Sequence, residues 1–156
     1  MVFEEKMTWV ALVVAAVVPV VYFATVIPQL ATTPASEIAY QTPMIIAIGV
    51  SIALTIVAAI ATAIASAIGT AVSAEIRGDG PVTDIEIDRK DERDVHIGRR
   101  GELAGYYVAS VGMVIVLVLT MMQFAYFWIA NALYLSFIAA AIVTSVVKLV
   151  AYRRGF

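Results

Sequence analysis

All ten Lys and Arg residues of this 156-residue chain fall in three zones: Lys6, the stretch from Arg77 to Arg100, and the stretch from Lys148 to Arg154. What lies between is apolar and long. Residues 7–36, 38–74 and 103–147 contain no Asp, Glu, Lys, Arg or His, and about 20 such residues suffice for a helix to cross a hydrocarbon core of ~30 Å. The pattern divides the chain into four spans at about 8–27, 43–74, 103–123 and 128–150, joined by two short connections and one polar loop over 75–102. Neither short connection carries a Lys or Arg. Because basic loops are retained in the cytoplasm, the expected fold is an all-α integral membrane protein, a single domain over 1–156. It has four transmembrane helices in two hairpins, with both termini and the polar loop cytoplasmic.

Composition agrees with lipid as the solvent. Hydrophobic residues make up 62% and charged residues 14%, against roughly 25% charged in a soluble domain. The net charge of −2 carries little weight, since orientation follows Lys and Arg near the spans and acids count for little. No nucleic-acid surface is implied. The chain has no cysteine, which excludes disulfide frameworks and thiolate metal sites. The first apolar run, Thr8 to Ile27, is longer than the ~7–15 residues of a signal-peptide core. It is therefore expected to be retained as a span.

Within span one, Pro19 predicts a bend, because it removes a backbone donor and clashes with the preceding turn. Trp9 at one edge, with Tyr22 and Phe23 towards the other, suits the interfacial preference of aromatic rings. The connection after span three contains Phe124, Tyr126 and Phe127, which predicts a tight hairpin with an aromatic belt at its outer end. Before span two, Pro34-Ala-Ser-Glu suits a helical turn, with Thr33 or Ser36 available as its cap. Pro43 then fits a helix's first turn, where a missing N–H costs nothing.

Span two is the longest, and its second half is dominated by small residues. Ala61, Ala65 and Gly69 recur at every fourth position, as do Thr62, Ser66 and Thr70. Ridges of this kind let another backbone approach closely in lipid. The ridge serves either packing within the chain or docking of another protein. Gly101, Gly105 and Ala109 form a second such ridge near the start of span three, and these six residues are the candidate docking positions. Met113, Met121 and Met122 are expected to fill gaps or face lipid rather than bind a soft metal, which would call for Cys or His beside them. Asn131, an amide about one turn inside span four, either caps its own turn or bonds across helices, worth ~1–2 kcal/mol in lipid. Lys148 is expected to extend its ammonium to the interface and to need no partner within the membrane.

The polar chemistry is concentrated in 75–102. Gly78, Gly80 and Pro81 are expected to break the second helix, Val82 to Asp88 alternates like a short extended segment, and a helix capped by Asp91 is expected to lead into span three. Asp88, Glu92 and His96 together suggest a divalent-cation site, but the Arg and Lys interleaved with them favour a solvated face, and no metal or cofactor is assigned. Arg99 and Arg100, with Arg153 and Arg154 at the chain's end, are the candidate contacts for anionic headgroups or a partner's carboxylates.

The segment Asp91-Glu-Arg-Asp, followed by Ile97 and Tyr106-Tyr-Val, resembles a family of small prokaryotic membrane proteins without assigned function. Their second hairpin begins with a similar Asp-Glu-Arg-Asp stretch. The likeness covers about residues 88–120. His96, Gly98 and Gly101 depart from the more uniformly helical side chains of that pattern. The resemblance implies a four-helix fold in a prokaryotic inner membrane and no particular chemistry.

Ion-coupled transporters and voltage sensors place ionisable groups within the membrane, and the spans here hold none near mid-depth. The expectation is a non-enzymatic accessory or scaffolding subunit, docked on other integral membrane proteins in an assembly such as an ABC-type lipid importer or a respiratory complex, and in contact with membrane lipids. A homo-oligomeric channel is the alternative. A membrane-embedded enzyme acting on lipid comes third, since catalysis would need convergent polar groups and the chain has a single His.

Overall fold

The computed structural model describes residues 3–77 and 92–154, leaving aside the side chains at 3, 4, 66, 69–77 and 92. These residues form four helices: α1 (Phe3–Val26), α2 (Gln41–Arg77), α3 (Glu92–Met121) and α4 (Tyr126–Arg154). Each is long and apolar enough to cross a membrane, as a multi-pass membrane protein requires. No strand occurs among the described residues. The expected extended segment at 82–88, the breakers Gly78, Gly80 and Pro81, and the cap Asp91 lie outside them.

The helices outrun the spans drawn from hydropathy. α2, at 37 residues, is ~55 Å long at ~1.5 Å per residue, well beyond a ~30 Å core. α3 begins at Glu92, so the polar approach to span three is already helical. α1 continues through Pro19, whose ring is buried, and passes into a 3₁₀ turn over Ile27–Ala31. Beyond that turn, Pro34 to Glu37 forms a single tight turn in place of the expected helical one, closed by Glu37 N–H to Pro34 C=O at 2.9 Å. Pro43 sits in the first turn of α2, where its missing donor is harmless.

Hydroxyls in the spans return to their own helix. Ser51 donates to Ala47 C=O at 2.9 Å, Ser110 to Tyr106 C=O at 2.8 Å, Thr120 to Val116 C=O at 2.8 Å and Ser136 to Ala132 C=O at 2.7 Å. Lipid supplies no other acceptor, so the carbonyl four residues back takes the bond.

The helices pack in the order α2, α1, α4, α3: α3 lies against α4, α4 against α1, and α1 against α2. The arrangement is a row of neighbours, and α2 and α3 occupy its two ends. α1 and α4 run antiparallel, so that Trp9 meets Arg153 at one end and Tyr22 meets Asn131 at the other. The buried core sits at the latter end, away from the basic zones, where Tyr22, Val26, Ile38, Ala47 and Phe127 come together. Tyr22 and Phe127 are thus buried among neighbouring helices. Phe124 and Tyr126 remain exposed.

The α3–α4 contact is made by glycines. A Cβ at Gly101 would lie 2.6 Å from Lys148 Cγ and 3.0 Å from Thr144 C=O, and one at Gly105 would overlap the Thr144 hydroxyl and lie 3.0 Å from Ala140 C=O. One at Gly112 would overlap the Ser136 side chain. The facing positions 136, 140, 144 and 148 recur at every fourth residue, so one ridge of α4 fits the glycine groove of α3. A tight turn joins the two helices. Phe124 N–H reaches Leu119 C=O at 3.1 Å and Gln123 N–H reaches Thr120 C=O at 3.1 Å, with Gln123 at φ 55°. This is the paired-bond helix stop that usually carries glycine at its left-handed position.

Two outcomes follow for stability, measured by unfolding in detergent. Gly105→Val should destabilise by about 1–3 kcal/mol through overpacking, whereas Gly98→Ala, where an added Cβ meets nothing within 4 Å, should be neutral or mildly stabilising. Gln123→Gly should stabilise by up to about 1 kcal/mol by relieving the left-handed backbone of an L residue.

Candidate functional site

Two polar constellations stand out from the apolar scaffold. The first joins the two hairpins within the core. The Tyr22 hydroxyl donates to Asn131 Oδ1 at 2.8 Å, and Asn131 Nδ2 donates to Phe127 C=O at 2.8 Å. Asn131 therefore does both things its position allows: it satisfies a carbonyl in its own helix and bonds across to α1. Tyr22 also meets Tyr134 edge to face, with centroids 5.2 Å apart. The junction ties α1 to α4.

The second constellation is the charged end of α3. Positions 96, 99, 100, 103 and 106 follow helical spacing and share one face, while Ile97, Gly101 and Gly105 turn inward and are buried. His96, Arg99, Arg100, Glu102, Leu103 and Tyr106 line an open groove of about 420 Å³. A neighbouring one of about 450 Å³, lined by Arg93, His96, Ile97 and Arg100, continues it by a turn. Lys148 of α4 also reaches this region. Its stem crosses Gly101, and its ammonium donates to Glu102 Oε1 at 3.4 Å. The missing side chain at Gly101 opens the path from Lys148 to Glu102, an exposed carboxylate at the polar end of α3.

The candidate docking residues separate into two groups. Gly101 and Gly105 are buried against α4 within the chain, so they are already occupied and offer no surface to a partner. Ala109 is half-buried on the same helix. Ala61 and Ala65 are exposed on α2; Gly69, Ser66 and Thr70 lie outside the residues whose surroundings are described. Of the basic candidates, Arg99, Arg100 and Arg154 are exposed. Arg153 is exposed as well but sets its guanidinium 5.6 Å from the centre of the Trp9 ring, a cation–π contact tying α4 to α1. Asp88 lies outside the described residues. Among the described residues, no three His, Asp or Glu side chains gather as a metal site would require. Sequence reasoning missed His96 and Tyr106 as groove residues, although their spacing from Arg99 and Arg100 is the signal that places them on one face.

Comparison with protein-family profiles, with curated proteins and with solved structures finds no match to this chain.

Unfolding measurements test the junction. Tyr22→Phe should cost about 0.6–1.7 kcal/mol, the range for hydrogen bonds between membrane helices, and the loss should vanish in an Asn131→Leu background. Tyr134→Phe should be near neutral, because among the described residues its buried hydroxyl has no hydrogen-bond partner.

Proposed function

We propose that the chain is a non-enzymatic accessory or scaffolding subunit that associates laterally with other integral membrane proteins. In this reading it lies in a prokaryotic inner membrane with both termini and residues 75–102 in the cytoplasm. The observation that carries the reading is the position of α2. This helix packs chiefly against α1, and many of its apolar side chains are exposed, among them Ile46, Ile52, Leu54, Ile56, Val57, Ile60 and Ile64. A helix at the end of a row, longer than the bilayer is thick and ridged with Ala61 and Ala65, is built for close approach by another helix. The mid-depth span positions carry no ionisable side chain, which speaks against ion-coupled transport as the chain's own activity.

Two experiments test it. Replacing Ala61 and Ala65 with Leu should remove a stoichiometric membrane partner from a mild-detergent purification while leaving thermal stability unchanged. A partner that stays bound to the variant would sink the docking role of this face. For orientation, a cysteine at exposed Ser36 should react with an impermeant reagent added outside intact cells, and a cysteine at exposed Val95 should react after permeabilisation alone. The opposite pattern would reverse the topology.

A further inference from the structure

We propose that the groove on α3 is a binding site for a single anionic phospholipid, with Arg99, Arg100 and His96 around its phosphate and Leu103 and Tyr106 against the start of an acyl chain. This goes beyond the accessory-subunit reading and needs no protein partner. Four observations carry it. Arg99 and Arg100 are exposed on the groove, and among the described residues neither guanidinium is held in an ion pair. The one carboxylate lining it, Glu102, is paired with Lys148, so the opposing charge is offset from within the chain. The lining changes character along the helix in the order a lipid does: basic at 96, 99 and 100, apolar at Leu103 and aromatic at Tyr106. Beyond these, the side chains are continuously uncharged as far as Val147, so the groove's inner end opens to hydrocarbon depth.

The chemistry recognised is a phosphate ester, which arginine contacts through paired N–H donors. Such a phosphate is found in lipids and in soluble phosphorylated molecules alike. The apolar continuation selects the lipid. A soluble phosphate would have no use for Leu103 and Tyr106, whereas a diacyl lipid anchored at the interface lays its first methylenes on them.

Native mass spectrometry of the purified full-length chain, titrated with phosphatidylglycerol or with phosphatidylcholine, reads the affinity for a single bound lipid. Phosphatidylglycerol should bind more tightly than phosphatidylcholine, and its affinity should fall as salt rises. Arg99→Gln with Arg100→Gln should lower phosphatidylglycerol affinity about 30-fold, the loss expected for two interfacial basic residues. Lys6→Gln with Arg77→Gln removes equal charge elsewhere in the basic zones and should change it less than about threefold. An equal loss in both pairs would reduce the effect to general surface charge and overturn the site, as would the absence of a headgroup preference. If the Gln pair fails to fold, Arg99→Lys with Arg100→Lys takes its place. Keeping the charge but not the paired donors, it should weaken binding several-fold, and unchanged affinity would count against the site. Glycerol 1-phosphate, which has no acyl chains, should not displace the lipid. Displacement at matching concentration would assign the groove to a soluble phosphate instead, and binding unaffected by Leu103→Ala with Tyr106→Ala would remove the acyl part of the proposal.

Discussion

The hydrogen bond from Tyr22 to Asn131 is the contact on which the arrangement of the helices turns. Lipid gives no hydrophobic incentive for one apolar helix to leave its solvent and join another, so association rests on fit and on polar groups that hydrocarbon cannot satisfy. Most hydroxyls in the spans escape that requirement by bonding to their own helix, and they specify nothing about neighbours. Tyr22 does not: its phenol projects beyond its own backbone and finds its acceptor on α4 at 2.8 Å. Around that bond the aromatic rings of Phe23, Tyr40, Phe127 and Tyr134 close the core. The two hairpins become one body at this end, and the Arg153–Trp9 contact secures the same pair of helices at the other.

The two edges of the row are unequal. α3 is fitted to α4 along three glycines, with backbone carbonyls and short side chains in contact, and this close approach is what frees its outward face to carry a continuous groove. α2 packs chiefly against α1, and Ala61 and Ala65 of its small-residue ridge are exposed. One edge is therefore a finished surface bearing charge, and the other an apolar helix whose surroundings are membrane. The accessory-subunit reading draws on the second edge and the lipid site on the first, so the two occupy opposite sides of the molecule and do not compete for area.

The four apolar helices were legible in the sequence for a physical reason: the cost of an ionised side chain in hydrocarbon leaves long uncharged runs where a helix is apolar enough to cross. The helical approach from Glu92 was also readable, since acids followed by helical spacing mark a helix start. The neighbour order was not. The ridge at Ala61 and Ala65 and the one at Gly101 and Gly105 look alike as strings of small residues, and nothing in either string says which helix lies opposite. The same holds for the aromatics: Tyr22 and Phe127 read as interfacial because they stand near span ends, and burial came from the neighbour each one meets. Gln123 carried no turn signal, since the left-handed position it fills is usually glycine. For the groove, Arg99 and Arg100 were conspicuous by charge. His96 and Tyr106 joined them only once Gly101 and Gly105 fixed which face of α3 turns inward.

The separation of 109 residues between Tyr22 and Asn131 also orders events during synthesis. A ribosome delivers α1 to the membrane long before α4 exists, so the phenol of Tyr22 must wait in the bilayer through the making of two further helices. The Tyr22 contact to the second hairpin can form only once α4 has been made, because its acceptor lies there. Joining of the two hairpins at this contact therefore waits on an amide that follows its phenol by 109 residues.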